Sequence, residues 1–424
     1  MNSILNEIIE PKTWERFLNY KCNNNLLTRK EKEYMTEYIE KQRYKKIANE
    51  ILKRNYQFSY PIKHCINKIG NNKKRIIYTF NEDEMMILKV LSFLLLEKYN
   101  SQFSPNCYSF RKNYSVKNAI KTIINTPDIE NMYGYKIDIH NYFNSIDIND
   151  LLYVLKKFLM EKEDFDEEVY NFLESILSNN KVNYNDIIIE EEKGIMAGVP
   201  ISSFLANVYL TDIDRLFYKT KNAVYARYSD DIIMFCNKED FNENVKILEN
   251  QIYAKKLILN NDKKEIINPG DMWSFLGFKY FNGNVDVSNI AIRKIKGKIK
   301  RSARKLRRWM LKKEASEDRA IRAMIRKFNK KFYDATEESE ELNWSRWYFP
   351  IITTTKGLKE IDLYMQQWLR YIATGKHNKK NYEKIKYKQL KEWGYMPLVN
   401  SYWKYKKEKV YASEKNHGKI SVQN

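Results

Sequence analysis

The sequence predicts an α+β protein with helical regions at both ends, and three observations support this prediction. Short β-like runs occur in pairs around turns, such as Ile62–Ile69 with Arg75–Phe80 and Val224–Tyr228 with Ile232–Cys236. Apolar residues at helical spacing fill the first sixty residues and most segments between these pairs. The apolar content of 43%, with 14% aromatic residues, is that of a folded chain.

Length and charge narrow the class of protein further. The chain has 424 residues, which at roughly 100–200 residues per domain allows two to four domains. The formal net charge is +21, from 75 Lys and Arg residues against 54 Asp and Glu residues. Such an excess opposes compactness through self-repulsion, and a polyanionic partner offsets it. Nucleic acid is therefore the leading partner, and an anionic membrane surface is the alternative.

The membrane alternative is weakened because no long apolar segment is present. The densest apolar stretch, Leu91–Leu96, is far shorter than the roughly 20 residues that span a bilayer. Residues Met1–Glu10 carry acids where a secretory signal has a basic region, so we expect no signal peptide. A cytoplasmic, reducing location fits four cysteines without paired spacing, which predict neither a zinc site nor disulfides: Cys22, Cys65, Cys107 and Cys236.

The first third of the chain predicts helices, a hairpin and more helices. The N-terminal helices are expected to end near Tyr60-Pro61, because proline disfavours a helical residue before it. The runs Ile62–Ile69 and Arg75–Phe80 flank Gly70-Asn71-Asn72 and predict a hairpin. Two helices follow, at about Glu82–Tyr99 and Ser115–Ile124.

The middle of the chain predicts a strand, two helices and a loop that opens a third. Met132–Ile139 is a β-like run that ends beside an acid, and helices are expected at Leu151–Leu159 and Val169–Leu177. Gly194–Ser203 predicts a loop before a helix of about fifteen residues, capped by Ser202 or Ser203.

The last part begins with strands and becomes strongly basic. The pair Val224–Tyr228 and Ile232–Cys236 brackets a tight turn, a helix is expected near Asn244–Lys256, and strands around Phe275–Tyr280. From Arg293 to Lys313 there are twelve Lys or Arg residues and no acid. The apolar residues beneath them share one helical face: Ile292, Ile295, Ile299, Leu306 and Met310. The best linker candidate is the acidic segment Asp334–Glu341.

The turn Tyr228-Ser229-Asp230-Asp231 carries the clearest chemistry. Two adjacent carboxylates repel each other and are costly to bury, and a divalent cation such as magnesium resolves the conflict. Asp138, at the end of another β-like run, supplies a third carboxylate. Three such acids can hold two ions about 3.5–4 Å apart. Hairpin turns also carry acids for structural reasons, so the pair alone is weak evidence.

Beyond these acids, five segments resemble the blocks of bacterial reverse transcriptases, including group II intron enzymes. Tyr228-Ser229-Asp230-Asp231 resembles the Tyr-x-Asp-Asp box, and Asp138-Ile139-His140-Asn141-Tyr142-Phe143 resembles the first catalytic motif. The other blocks resemble the second fingers block, a palm segment with a terminal lysine and the primer-grip hairpin: residues 103–111, 257–263 and 275–278. They occur in the family's order over roughly residues 60–280.

The resemblance implies a right-hand polymerase of fingers, palm and thumb with helical extensions. The implied regions are an N-terminal extension at 1–60, fingers at 61–135, a palm at 136–284 with fingers helices inserted at about 151–190, a basic thumb at 285–333 and a helical RNA-binding region at 342–424. Asp138, Asp230 and Asp231, with the backbone carbonyl of Ile139, would hold two Mg²⁺ ions, with Mn²⁺ as the alternative ion.

The resemblance also implies how nucleotide and template would be bound. Phe143 would exclude a ribose 2′-hydroxyl, and Lys68 and Arg75 would clamp the triphosphate of a dNTP through charge-assisted bonds. Lys263 would protonate the leaving pyrophosphate. Contacts to template and primer are expected at Arg111, Gly198, Pro200, Tyr228, Gly277, Arg301, Arg304 and Arg308.

Some residues depart from the family's pattern. Ala197 stands where intron enzymes carry glutamine, and Ser203 stands where they carry proline. A downstream Cys/His nuclease cluster and the Val-Thr-Gly element of retron enzymes are both missing. The loop and the long C-terminal region look more like reverse transcriptases of the abortive-infection and phage-defence groups. Those enzymes copy a dedicated non-coding RNA or make DNA without an ordinary template.

The basic and aromatic C-terminal third indicates contact with nucleic acid. Twelve like charges favour a thumb that follows a phosphate backbone over a solvated helix, which usually mixes signs. Beyond the linker, aromatic residues mingle with lysines, and they either stack with single-stranded RNA or form a core: Trp344, Trp347, Tyr348, Trp368, Tyr371, Trp393, Tyr402, Trp403 and Tyr405.

We therefore expect an RNA-directed DNA polymerase that copies a dedicated non-coding RNA into a DNA product during antiphage defence. We expect no membrane partner, and oligomerisation is left open. Three alternatives stay open from the sequence. These are untemplated or protein-primed DNA synthesis at the same site, a group II intron reverse transcriptase and maturase, and an RNA-binding protein with a vestigial polymerase site.

Overall fold

The computed structural model describes residues 3–24, 26–67, 74–333 and 343–420, with side chains to residue 409. The chain forms two compact units, an N-terminal unit (Met1–Pro269) and a C-terminal unit (Gly270–Asn424). Lys68 and the linker candidate 334–341 lie outside the described residues. Helices and strands both contribute to the fold, so the predicted α+β class is confirmed.

The N-terminal unit contains twelve described α-helices, and most of the predicted ones are confirmed. In chain order they are α1 (Ile4–Glu7), α2 (Pro11–Asn23), α3 (Arg29–Glu40), α4 (Tyr44–Leu52), α5 (Glu82–Tyr99), α6 (Val116–Ile124), α7 (Tyr142–Ser145), α8 (Ile148–Met160), α9 (Glu167–Leu177), α10 (Ser202–Tyr209), α11 (Thr211–Lys219) and α12 (Lys238–Ala254).

The strands of this unit form two four-stranded sheets. They are β1 (Ile62–Asn67), β2 (Lys74–Thr79), β3 (Tyr133–Asp138), β4 (Lys181–Tyr184), β5 (Ile187–Glu190), β6 (Ala223–Tyr228), β7 (Asp231–Cys236) and β8 (Glu265–Ile267). One sheet has the order β2-β1-β4-β5, and the other has the order β6-β7-β3-β8. The antiparallel pairs β1/β2 and β6/β7 confirm both predicted hairpins.

The hairpin of β4 and β5 was not predicted from the sequence. Its two turn residues, Asn185 and Asp186, have positive φ values of 53° and 65°. Two consecutive positive φ values are typical of a type I′ turn. Such a turn is usually recognised in a sequence by Asn-Gly or Asp-Gly. This turn has no glycine, and therefore the pattern gave no signal. β4 joins the sheet through a parallel contact with β1.

The predicted fifteen-residue helix is wrong in one respect, because it is two helices that meet at Leu210. The Thr211 hydroxyl donates to the Asn207 carbonyl at 2.9 Å, a contact of the kind that bends helices. The predicted serine cap is also wrong. Ile201 occupies the cap position, and the Ser202 hydroxyl donates instead to the carbonyls of Ile195 and Met196.

A large apolar core lies between these helices and sheets. α5 is buried around most of its circumference, and its start is fixed by a reciprocal cap between Asn81 and Glu84. Glu84 is itself buried and accepts hydrogen bonds from Tyr56 and Ser59. All four cysteines are free: Cys65 is exposed on β1, Cys22 is partly exposed, and Cys107 and Cys236 are buried.

The C-terminal unit is mainly helical. Its elements are β9 (Trp273–Phe275), β10 (Phe278–Phe281), β11 (Asn284–Val287), α13 (Asn289–Lys312), α14 (Glu317–Tyr333), α15 (Trp344–Tyr348), α16 (Lys356–Thr374), α17 (Asn381–Lys384), α18 (Tyr387–Glu392) and α19 (Leu398–Ile420). The three strands form an antiparallel sheet in the order β11-β10-β9.

The basic helix α13 confirms the predicted amphipathic pattern. Ile292, Ile295, Ile299 and Met310 are buried on one face. Its start is capped by Ser288, whose hydroxyl accepts from the Ala291 amide. The aromatic residues of this unit divide between core and surface, since Trp368 and Tyr402 are buried while Trp403 is 53% exposed. Among the described residues, every helix is too short or too polar to cross a bilayer.

Candidate active site

Three carboxylates meet on adjacent strands of the second sheet. β3 pairs with β7 so that Asp138 lies directly opposite Asp231, and β7 pairs with β6 so that Asp231 lies opposite Tyr228. The turn between β6 and β7 is tight, and its Ser229 has a positive φ of 62°. The Ile139 amide donates to the Asp230 carbonyl at 3.1 Å, which ties the end of β3 to the turn.

The three acids interact strongly because they are close together and partly buried. Burial, followed by the charges of Asp230 and Asp138, raises the pKa of Asp231 to about 7. Burial and the Asp138 charge also raise the pKa of Asp230. The Lys263 ammonium contacts Asp138 Oδ1 at 2.5 Å, and the Asn260 amide donates to Asp138 Oδ2 at 3.1 Å. One lysine thus offsets part of a threefold negative charge.

The donor set of this cluster fits divalent cations. Carboxylate and carbonyl oxygens are the ligands that Mg²⁺ and Mn²⁺ prefer, and a cation would relieve the repulsion that raises these pKa values. Asp138, Asp230, Asp231 and the Ile139 carbonyl are the residues that could hold them. In the part of the chain that the structure describes, no three acidic, His or Cys side chains are already arranged for coordination. Lys263 pairs with one of the Asp138 oxygens.

A buried polar network holds the turn between β6 and β7, and it was not predicted from the sequence. Arg227 and Asp214 form a bidentate ion pair, with 2.7 Å from Nε to Oδ1 and 2.5 Å from Nη2 to Oδ2. Both side chains are at most 1% exposed. Arg227 Nη1 also donates to the Ser229 carbonyl at 3.2 Å and to Asn207 Oδ1 at 3.3 Å. A charged residue in the apolar strand before the turn was the one available signal.

The second fingers-like block completes this network. Cys107 forms a parallel bridge with Arg227, and the block therefore lies as a short extra strand beside β6. Ser109 Oγ accepts from the Ser229 amide at 2.9 Å and donates to Asn207 Oδ1 at 3.0 Å. The backbone of the turn at Ser229 is thus held by Ser109, which is 120 positions away, and by Arg227, which Asn207 contacts in turn. This arrangement fixes where Asp230 and Asp231 stand.

Arg111 stabilises the backbone conformation of the second fingers-like block. It is 8% exposed, and its guanidinium donates to the carbonyls of Asn100, Ser104 and Cys107. The Tyr114 ring lies 3.8 Å from its central carbon. Arg111 therefore holds the block together, and any effect on a template would be indirect.

Aromatic rings connect the first motif with the turn. The Phe110 ring lies 6.3 Å from the Phe143 ring and 6.2 Å from the Tyr228 ring, between centroids. Phe110 is exposed and has a positive φ of 54°, an uncommon conformation for a bulky residue. Gly194 presses on the Phe143 backbone, since a Cβ at position 194 would stand 2.4 Å from the Phe143 carbonyl oxygen.

The predicted glycine-rich loop lies against the first sheet. The Tyr78 amide of β2 donates to the Ala197 carbonyl at 2.8 Å. Gly198 has a φ of 105°, and a Cβ there would meet the Tyr78 carbonyl at 2.8 Å, so only glycine fits without a shift. Pro200 follows at the partly exposed end of the loop, and Arg75 is exposed on β2.

The remaining predicted residues belong to the C-terminal unit. Gly277 has a φ of 90° in the turn between β9 and β10, and the Tyr348 hydroxyl packs against it. Arg301, Arg304 and Arg308 are exposed on α13 at a spacing that places them on one helical face.

A model of the family described as reverse transcriptase (RNA-dependent DNA polymerase) matches residues 49–280, which is more than half of the chain. The chain is 25% identical to the Retron Ec73 reverse transcriptase of Escherichia coli over 162 residues, covering 35% of this chain and 46% of that protein. It thus spans about half the length of this curated relative.

Solved structures of telomerase are also similar. Apo telomerase from Candida tropicalis, truncated from the C-terminal domain, has a TM-score of 0.45 and 13% identity over 55% of each chain. Telomerase from Candida albicans with a TWJ fragment of telomeric RNA has a TM-score of 0.43 and 11% identity, covering 84% of this chain and 68% of that chain.

Proposed function

The chain belongs to the reverse transcriptase (RNA-dependent DNA polymerase) family, and from this premise we propose that it copies an RNA template into DNA at Asp138, Asp230 and Asp231. The observation that carries the proposal is the register of β3 against β7, which sets Asp138 opposite Asp231 beside Asp230. Three carboxylates that repel one another, with the Ile139 carbonyl beside them, are suited to bind two divalent metal ions. Nucleotidyl transfer is the chemistry that such a centre supports.

The proposed roles follow from the placement of each residue. Bound Mg²⁺ or Mn²⁺ ions would supply positive charge at the primer hydroxyl and the triphosphate. Asp138, Asp230, Asp231 and the Ile139 carbonyl would hold those ions. Lys263, whose ammonium contacts Asp138 Oδ1, is proposed to donate a proton to the leaving pyrophosphate.

Nucleotide selection is assigned to residues around the acids. Phe143 lies five residues after Asp138, beside Phe110, and its ring is proposed to lie under the sugar and to exclude a 2′-hydroxyl. Lys68 and Arg75 are proposed to clamp the triphosphate. Gly198, Pro200 and Tyr228 are proposed to contact template and primer. Gly277 and the exposed arginines of α13 are proposed to contact them as well.

The proposed regions keep their sequence boundaries. Residues 61–135 are assigned to the fingers, 136–284 to the palm, 285–333 to the thumb and 342–424 to an RNA-binding region. A non-coding RNA template and a role in antiphage defence are the finer proposal. They are supported by the loop around Ala197 and by the long C-terminal region, which resemble the abortive-infection and phage-defence groups.

The direct test is incorporation of labelled dNTPs by the purified full chain on an annealed RNA template and DNA primer. We expect product with Mg²⁺ or Mn²⁺, and a loss of at least about a thousandfold for Asp230→Ala/Asp231→Ala, because metal binding contributes several kcal/mol to the transition state. Asp164→Ala, at an exposed acid between α8 and α9, is the matched control.

Either result is informative. Equal incorporation by the wild type and the double variant would assign the activity to a contaminant and refute the site. A wild type that makes no product on any supplied RNA or DNA template, although it is folded, would refute the proposed activity. Sequencing of product made on co-purifying RNA, without an added primer, identifies the natural template and tests the finer proposal.

A further inference from the structure

A short pairing beside the end of β3 places an amide side chain next to the catalytic acids. Ile139 forms an antiparallel bridge with Leu259, and the Asn260 amide donates to the Asp138 carbonyl at 2.8 Å. Asn260 therefore lies opposite Asp138 on one side, as Asp231 of β7 does on the other side. Opposite residues of antiparallel strands point to the same face of a sheet. The side chains of Asp231, Asp138 and Asn260 thus form a row.

A single 3₁₀ turn, Asn261–Lys263, then brings a second donor to the same carboxylate. The turn separates this pairing from β8, and the Lys263 amide closes it by donating to the Asn260 carbonyl at 2.9 Å. The Asn260 side-chain amide, at the start of the turn, donates to Asp138 Oδ2 at 3.1 Å. The Lys263 ammonium, at its end, contacts Asp138 Oδ1 at 2.5 Å. Each oxygen of this buried carboxylate thus has one contact from the turn and its flank.

The two contacts differ in charge and therefore in their effect on a cation. A carboxylate oxygen has about two lone pairs, so Asp138 Oδ2 can accept from the neutral Asn260 amide and still bind a metal ion. The Lys263 ammonium places a positive charge beside Oδ1 and repels a cation that approaches Asp138. The Lys263 side chain is 57% exposed and that of Asp138 is 8% exposed. The lysine can therefore move into solvent while the carboxylate stays in place.

We propose that Asn260 is a positioning residue for the metal centre, because it holds the Asp138 carboxylate in place for a divalent cation without neutralising its charge. Lys263 occupies the same carboxylate until a cation displaces its ammonium. The inference rests on the proposed function, since the cation is the one assigned to Asp138, Asp230 and Asp231. Groups that orient a metal ligand typically contribute a factor of about 10 to 100 in metal affinity.

The test measures binding of Mn²⁺ to the purified full chain, without template or nucleotide, from the electron paramagnetic resonance signal of the free ion. Asn260→Leu removes the amide donor with little change in side-chain size, and any residue except proline keeps the backbone hydrogen bond to Asp138. We expect the dissociation constant for Mn²⁺ to rise about 10- to 100-fold. Asn261→Leu, at an exposed asparagine of the same turn, is the matched control and leaves the constant unchanged.

Lys263→Met is expected to give the opposite result. It removes the ammonium beside Asp138 Oδ1, so Mn²⁺ should bind more tightly than to the wild type. Loss of a contact that only stabilises the fold would not change metal affinity in opposite directions for the two variants. In the incorporation assay, Asn260→Leu should raise the Mg²⁺ concentration for half-maximal activity by the same factor, whereas activity at saturating Mg²⁺ changes far less. Asn260→Ala repeats both measurements with a smaller side chain, in case the leucine prevents folding.

The inference is overturned if the Asn260 variants bind Mn²⁺ as tightly as Asn261→Leu does, or if Lys263→Met weakens binding. Equal Mn²⁺ binding by the wild type and by Asp230→Ala/Asp231→Ala would refute the metal centre, and with it both the proposed function and this inference. The expected changes in Mn²⁺ binding, together with no incorporation of dNTPs on any supplied template, would refute the proposed function alone. The two proposals therefore fail in distinguishable ways.

Discussion

The acidic turn of the N-terminal unit and the exposed arginines of α13 in the C-terminal unit are both groups of like charge. In the turn, burial and neighbouring charges raise the pKa of Asp231 to about 7, whereas Arg301, Arg304 and Arg308 are exposed to solvent. The two differ in how the chain builds them. The acids lie at the ends of paired strands held by a buried network, whereas the arginines lie on one face of a single helix. A cluster of like charge marks where an opposite charge is expected to bind.

The ion pair of Arg227 with Asp214 is the contrast within the N-terminal unit. Here both charges are buried and satisfied by the chain itself, so no ligand is needed. The pair is structural, and it holds the turn on which the unsatisfied acids stand. Charges that are satisfied internally should affect stability, and charges that await a ligand should affect binding. Three of the following four predictions test that distinction, and the other concerns the aromatic ring beside the acids.

The largest effect is expected from Arg227→Met. It leaves Asp214 buried without its partner, and breaking a buried pair costs about 3–5 kcal/mol. The measurement is the free energy of unfolding from urea titration. Arg215→Met is the matched control, since Arg215 pairs with Glu161 at the surface, where a pair is worth about 0–1 kcal/mol. Equal costs for the two variants would contradict the distinction.

The second prediction concerns Phe143 beside the acidic turn. Phe143→Ala opens space under the sugar, and we expect incorporation of ribonucleotides relative to dNTPs to rise about 10- to 200-fold, the range for one steric contact. The measurement is the ratio of kcat/KM values for one rNTP and its dNTP. Tyr153→Ala, at an exposed aromatic of α8, serves as the control. An unchanged ratio of kcat/KM values would show that Phe143 does not select against ribonucleotides.

The third prediction concerns the exposed arginines of α13. Each of Arg301→Gln, Arg304→Gln and Arg308→Gln should lower the salt slope of binding to a primer–template by about 0.9, if the arginine meets one phosphate of a duplex. Unfolding by urea should be almost unchanged, because these side chains are exposed. Lys359→Gln on α16 is the control. A loss of stability without a change in the salt slope would show that these arginines stabilise the fold and do not contact phosphate.

The smallest effect is expected from Lys193, a buried lysine that has internal partners. Its ammonium donates to the carbonyls of Asn179 and Lys181, and burial lowers its pKa to about 8. Between pH 8 and about 10.5 the unfolded chain binds more protons at this lysine than the folded chain does. Stability from Lys193 therefore rises with pH across that window.

Comparison of the wild type with Lys193→Met isolates this contribution. The difference in unfolding free energy between the two proteins should move in favour of the wild type as the pH rises from 8 to 10.5. Lys181→Met, which removes an exposed lysine of β4, should give no such trend. A pH-independent difference for Lys193→Met would show that the pKa of Lys193 is the same in the folded and unfolded chains, so that burial does not lower it.

Much of the fold could be predicted because its signals are local. The α+β class, both main hairpins and the positions of the three acids follow from short runs, and the family match confirms the right-hand polymerase fold. The break at Leu210 accompanies a hydrogen bond from the Thr211 side chain to the backbone. The hairpin of β4 and β5 turns at two residues with positive φ, neither of which is glycine. The network around Arg227 could not be predicted, because Cys107 and Ser109 reach it from about 120 residues away.

The four free cysteines have a practical consequence for labelling. Burial raises the pKa of the Cys107 thiol to about 11 and also raises the pKa of Cys236, so neither offers a thiolate to a maleimide at neutral pH. Cys65 is exposed on β1, which pairs with the strand that carries Arg75, proposed to clamp the triphosphate. After Cys22→Ser, a single dye at this natural position would report on nucleotide binding beside that strand.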